Sequence, residues 1–252
     1  MRGALPLARQ ARSPRSLCAK KKGGSVELSL LTYNIRKAVG LDRRRDPHRV
    51  MEVICQADAD VVVLQEADRR LGPRRAALPF QIIAEESDYQ VAPLAANSVS
   101  LGSHGNAVLV RRGFEIGPCQ RLPLPGLEPR GAVSVEVEGL RVIGTHLGLM
   151  RRYRHQQMRR LAGELSHETK PTVILGDFNE WSAHRGFEPL DRCFDIHDFG
   201  KSFHAARPMA ALDRLVISPG VEILEGHVVQ TPLARVASDH LPVWARVALS
   251  AG

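Results

Sequence analysis

An α/β fold is what this chain predicts, and three observations predict it. The first is a strand–helix–strand opening. Glu27 to Ile35 is an apolar stretch, a capped amphipathic helix follows, and Val61 to Leu64 is a second apolar run. The second is a set of consecutive alternating segments between Phe114 and Thr145, where Val133, Val135 and Val137 alternate with Ser134, Glu136 and Glu138. The third is a long amphipathic helix over 153–167, followed closely by the apolar run Thr172 to Leu175.

The elements follow in order. Glu27 to Ile35 reads as the first core strand, and Arg36 to Arg45 as a basic, solvated loop that is also able to meet a phosphate. Asp46 caps a helix that Pro47 starts, because proline at the first turn gives up no helical hydrogen bond. Val50, Val53, Ile54 and Ala57 form its apolar face. Asp68 to Leu78 is a second exposed basic segment, and Phe80, Ile83 and Ala84 suggest a short helix. Strands are expected at 107–110, 114–121, 131–137 and 140–145, with Glu138-Gly139 as a hairpin turn. In the helix over 153–167, Met158, Leu161 and Leu165 face the core, while Arg151, Arg152, Arg154, Arg159 and Arg160 read mostly as a solvated face. A short helix over 185–190 and strands over 212–217, 221–229 and 241–249 complete the chain.

Composition narrows the class. The 252 residues are 44% hydrophobic and 25% charged, as in soluble globular domains. No apolar run approaches the roughly 20 residues that span a bilayer. The formal net charge is +8, yet seven of the 35 basic residues lie within residues 1–24, which hold no acid. Without them 28 basic residues face 27 acidic ones, so the body is nearly neutral. Residues 1–24 are expected to be a disordered, dispensable basic tail, with a single domain over 25–252. A transit-type segment and an upstream start site both fit that composition; a secretory signal does not. Cys18, Cys55, Cys119 and Cys193 are widely spaced and make no metal-binding pair, which suits a reducing, cytoplasmic setting; Cys55 reads as a small core residue.

Chemistry gathers at strand ends. Thr172 to Leu175 is followed by Gly176, then Asp177-Phe178-Asn179. In an extended segment, residues i and i+2 share a face, so Asp177 and Asn179 should emerge together while Phe178 turns to the core. Four other stretches end the same way, in Asn34, in Gln65-Glu66, in Thr145-His146 and in Ser238-Asp239-His240. If the first two strands are parallel, Asn34 and Glu66 lie at one edge. The carboxylates and amides offer hard oxygen ligands, and the two His and two Asn residues offer donors to a phosphate.

Thr32-Tyr33-Asn34, Leu64-Gln65-Glu66, Thr145-His146-Leu147, Gly176-Asp177-Phe178-Asn179, Leu212-Asp213-Arg214 and Ser238-Asp239-His240, in this order, resemble the endonuclease/exonuclease/phosphatase superfamily over about 30–247. The resemblance implies a DNase I-like four-layer α/β/β/α sandwich with two stacked mixed sheets and a site at one end of the strands. It implies Mg2+, with Mn2+ as a substitute, held by Glu66 with Asn34 and Asp239 near it. By the same resemblance Asp177 orients or deprotonates the water, and Asn179 holds that water or a phosphate oxygen. His240 donates to a phosphate oxygen, Asp213 fixes its tautomer, and His146 is a second donor or helps the leaving group. Arg130 and Asn106 are candidate substrate contacts. The expected activity is phosphoester hydrolysis by a monomeric phosphodiesterase of nuclease type. The alternative substrates are lipid or inositol phosphates, as in phosphatases and sphingomyelinases. A non-catalytic binding member of the fold would have lost Glu66, Asp177 or His240, and this chain keeps all three.

Overall fold

The computed structural model describes residues 20–22 and 25–250, except 167–168, 183–184 and 192–193. Cys18, Cys193 and most of the expected tail lie outside these residues. Strand β1 (Lys20–Lys22) pairs antiparallel with the start of β2 (Ser25–Asn34), so regular structure begins before the expected boundary at residue 25.

From β2 the chain enters α1 (Pro47–Ala57), and Asp46 Oδ1 accepts from Arg49 N at 3.0 Å as the cap. The helix buries Val50, Met51, Val53 and Ile54 and ends where Asp58 turns left-handed. Strand β3 (Val61–Gln65) returns parallel to β2, with Asn34 opposite Gln65. Then come α2 (Phe80–Glu86), β4 (Tyr89–Val91), β5 (Ala107–Arg111), β6 (Cys119–Pro123), β7 (Gly131–Val137) and β8 (Leu140–His146). The strand expected from Phe114 starts only at Cys119. Gly113 turns the chain at positive φ, and Pro118 offers no N–H to a ladder. The chain continues through α3 (Arg151–Leu165), β9 (Thr172–Asp177), β10 (Asp195–His197), β11 (Asp213–Ile217), β12 (Val221–Val228), α4 (Ala234–Ala237) and β13 (Val243–Leu249). No helix forms over the described part of 185–190; Leu190 N and Asp191 N both bond Phe187 O, closing a single turn.

The strands make two sheets. One runs β12-β13-β2-β3-β5-β4 with β1 added to β2, and the other runs β10-β11-β9-β8-β7-β6. Both are mixed, since β2–β3 and β8–β9 are parallel. Alternation then sorts the layers. Leu30, Val61 and Val63 pack on Val133, Val142, Val173 and Leu175 between the sheets. Leu31, Val62 and Leu64 turn the other way, onto the apolar face of α1. Ile143, Ile174 and Val216 on the second sheet meet Met158, Leu161 and Leu165 of α3. The result is the expected α/β/β/α sandwich, with the middle layer apolar on both sides. Ser134, which alternation alone would leave at the surface, is buried, and its Oγ accepts from Arg141 Nε at 3.0 Å.

Gly176 shows how closely the sheet centre is built. It sits at φ +153°, and a Cβ there would lie 1.9 Å from the backbone oxygen of Thr145. Gly176→Ala is expected to cost about 3 kcal/mol, as overpacking does. Chemical denaturation should show it; a midpoint unchanged from the parent would overturn this account.

Candidate functional site

Register brings the chemistry to one edge. Parallel pairing of β2 with β3 leaves Asn34 and Glu66 at the same end. Parallel pairing of β8 with β9 places His146 directly opposite Asp177, and antiparallel pairing of β11 places Asp213 on the other side of Asp177. The loop before β13 carries Ser238 to His240 to this end. Ser238 Oγ donates to Asn34 O at 2.7 Å, and Phe203 bridges to His240 through the backbone.

Asp177 lies at the centre, almost fully buried. Its Oδ2 accepts from Asn34 Nδ2 at 3.0 Å and stands 3.4 Å from His146 Nε2 and 3.6 Å from His240 Nε2. Its Oδ1 accepts from Asn179 N at 2.9 Å. Asn179 is not extended as expected but left-handed, at φ +52°. Its side chain therefore leaves Asp177 and donates to Leu147 O at 2.9 Å, tying the Asp177 turn to the loop after His146. Phe178 is fully buried, as expected.

The two imidazoles are pushed in opposite directions. Burial drives His146 down to about 3, against the attraction of Asp177, and Arg130, His240 and Lys37 push the same way. For His240 burial also opposes charge, but Asp213 and Asp177 outweigh it and raise the ring to about 10. His240 Nδ1 is 2.9 Å from Asp213 Oδ2, which also accepts from Ser202 Oγ. At neutral pH the edge thus holds one neutral and one cationic imidazole on either side of a single carboxylate.

The proposed metal ligands are oxygen donors, without cysteine, and so match a hard divalent cation. Glu66 stands at φ +51°, just after β3, with Lys37 Nζ on its carboxylate. Asp239 Oδ2 is 3.3 Å from Arg36 Nε, and Asn34 Oδ1 accepts from Arg36 N at 3.1 Å. Among the described residues no three His, Cys, Asp or Glu side chains make a metal-holding group. Two partly exposed carboxylates share this end, each paired with a cation of the chain that a bound metal would have to displace, Lys37 on Glu66 and Arg36 on Asp239.

Arg130 reaches the site's cavity, with its guanidinium on Glu128 Oε2 at 2.8 and 3.1 Å. Asn106 stands behind it. Its Nδ2 donates to Gly131 O at 2.7 Å, and its Oδ1 is buried without a partner. Gln65 is structural, exchanging hydrogen bonds with Thr32.

Sequence reasoning missed several members. Ser202 and Phe203 flank His240, the Phe203 ring 4.9 Å from the imidazole, and Trp181 meets Phe203 edge-on at 5.8 Å. Arg154 is a correction. It is buried rather than solvated, and its guanidinium bonds Glu180 Oε2 at 2.8 Å and the carbonyl of Leu149. Its helix lies over the loop after His146, so its position on α3 points inward, a fact that only the packing reveals. Arg154→Ala should cost about 3–5 kcal/mol by stranding the buried Glu180 carboxylate. Replacing both partners by apolar residues should cost less. Denaturant midpoints of the single and double variants check this; a single variant as stable as the parent would overturn it.

Comparison with known proteins follows the same outline. A family model described as Endonuclease/Exonuclease/phosphatase family matches residues 31–240. No curated protein matches the chain. Among solved structures, an endonuclease/exonuclease/phosphatase from Beutenbergia cavernae DSM 12333 is 24% identical, with TM-score 0.65, covering 89% of this chain and 72% of that one. One from Bacteroides vulgatus is 18% identical, with TM-score 0.70, covering 89% and 100%. D. rerio TDP2 complexed with single strand DNA product is 15% identical, with TM-score 0.65, covering 88% and 98%. At these identities the likeness is one of fold.

Proposed function

The chain belongs to the endonuclease/exonuclease/phosphatase family, and from that premise we propose that it is a Mg2+-dependent phosphoric ester hydrolase of phosphodiesterase type. The observation that carries this reading is the buried Asp177 carboxylate flanked by His146 Nε2 at 3.4 Å and His240 Nε2 at 3.6 Å. Phosphate diesters resist hydrolysis because their own charge repels nucleophiles, so a catalyst must position a water and stabilise developing negative charge. Asp177 would take the water's proton. Cationic His240 donates a hydrogen bond to a phosphate oxygen, and Asp213, accepting from Nδ1–H, holds the ring in the orientation that presents Nε2–H. His146 reaches the same space from the opposite strand end, as a donor to phosphate or to the departing oxygen. Asn34 fixes the Asp177 carboxylate from below.

Glu66, Asn34 and Asp239 would hold the cation. When bound, it screens the phosphate charge. No helix among the described residues is long and apolar enough to cross a membrane. The TDP2 neighbour bound to single-stranded DNA favours a nucleic-acid ester over a lipid headgroup as the first substrate to try.

The test is an activity panel with added Mg2+ or Mn2+, over plasmid DNA, single-stranded DNA and RNA, an abasic duplex, phosphoinositides, sphingomyelin and bis-p-nitrophenyl phosphate. Turnover of at least one ester, lost in Asp177→Asn with the fold retained, is the expected result. Activity that survives Asp177→Asn would overturn the assignment of roles.

A further inference from the structure

Beyond Glu66 the chain makes a hairpin-like excursion. Asp68 bridges Ala76, Arg69 N bonds Arg75 O at 2.8 Å, and Ala77 N bonds Ala67 O at 2.7 Å. The tip turns at Gly72 and Arg74, both at positive φ. This anchored segment forms one wall of a cavity of about 540 Å3 whose other walls include Glu66, His146 and Arg130. The space is far larger than one phosphate requires and is of the size that takes a small organic ligand.

The wall's charges do not balance. Each acid lining the cavity is already committed. Asp68 accepts from Leu101 N at 2.6 Å, Glu128 holds Arg130 and accepts from Leu149 N, and Glu66 holds Lys37. Arg69, Arg70 and Arg74 have no ion pair within 4 Å among the described residues, although Arg74 feels the field of Asp68. Arg45, which donates to Lys37 O at 3.0 Å, stands close enough to Arg69 for the two cations to repel each other. Like charges held together on an anchored backbone, facing a cavity whose acids are all engaged, lack an anion.

We propose that Arg69, Arg70 and Arg74 form a second-phosphate subsite, so that the preferred substrate carries another phosphate group beside the scissile ester. This rests on the hydrolase reading and deepens it. A sugar–phosphate chain and a polyphosphorylated headgroup both supply that chemistry.

Calorimetry on the full chain without added metal tests the subsite independently of turnover. Adenosine 3′,5′-bisphosphate should bind at least about ten-fold tighter than adenosine 5′-monophosphate, or inositol 1,4,5-trisphosphate than inositol 1-phosphate. The pair showing the preference identifies the source. The preference should fall to about two-fold in R69Q/R70Q/R74Q. A control lacking the exposed Arg112, Arg121 and Arg159 should keep the preference. If the triple variant does not fold, R69Q/R70Q, which changes only exposed side chains, replaces it. A preference absent from both pairs, unchanged in the variant, or equally lost in the control would overturn the proposal. In turnover, the variant should raise KM for oligothymidylate about ten-fold, with bis-p-nitrophenyl phosphate hydrolysed within two-fold of the parent rate. An equal loss on both would also overturn it. A parent that hydrolyses no ester of the activity panel defeats the hydrolase reading, while the calorimetry still judges the subsite.

Discussion

His240→Ala is expected to lower turnover by about 10²–10⁴ with the fold intact, the range typical of a lost positioned proton donor. Asp213→Asn should cost less, because the ring remains while its Nδ1 partner, 2.9 Å away, can no longer accept the same charge-assisted bond. The double variant should match His240→Ala alone, since two residues acting as one unit do not contribute twice. The same pair predicts a pH effect on stability. Burial opposes charging His240, yet Asp213 and Asp177 raise the folded value to about 10, above an unfolded value of about 6.5. The raised value stabilises the fold fully below pH 6.5, and this contribution is lost as pH climbs through 10. The melting-temperature gap between the parent and Asp213→Asn should therefore be widest in mild acid and close by pH 10. Single losses that multiply in the double variant, or a gap that widens with pH, would separate Asp213 from His240.

Excess EDTA should reduce hydrolysis to background, a loss of about 10³ or more if the cation supplies several kcal/mol of charge stabilisation. Glu66→Gln should behave as a partial version of that loss, with half-maximal activity shifted to much higher Mg2+. The motivation lies in the donor set. Glu66 and Asp239 are partly exposed carboxylates at the strand ends, balanced by Lys37 and Arg36, and Asn34 adds an amide oxygen beside them. Titrating Mg2+ into the two proteins and following turnover reads both effects. Full activity in EDTA would remove the cation from the mechanism.

Much of the sandwich was legible because apolar periodicity is a local signal. The Asp46 cap, the Pro47 start and the Val50, Val53 and Ile54 face placed α1 correctly, and Glu138-Gly139 marked the β7–β8 hairpin. Errors arose where a neighbour overrode the local pattern. Phe114 to Pro118 looks extended but is not strand, although Gly117 and Pro118 exchange backbone hydrogen bonds with Glu136 of β7, and residues 185–190 make a turn rather than a helix. Asn179 lies in a left-handed turn, so the extended-strand rule that paired it with Asp177 did not apply.

By itself, the chain's sequence determined the strand ends and their chemistry: Asn34, Glu66, His146, Asp177, Asp213 and His240 each stand at the end or start of an apolar run. Only tertiary structure decided that parallel register sets His146 opposite Asp177, that Asp213 and Ser202 close on His240, and that Arg154 is buried against Glu180. The physical reason is range. Apolar alternation and capping are written over a few neighbouring residues, whereas pairing register, burial and the field at an imidazole depend on side chains brought from tens to hundreds of positions away.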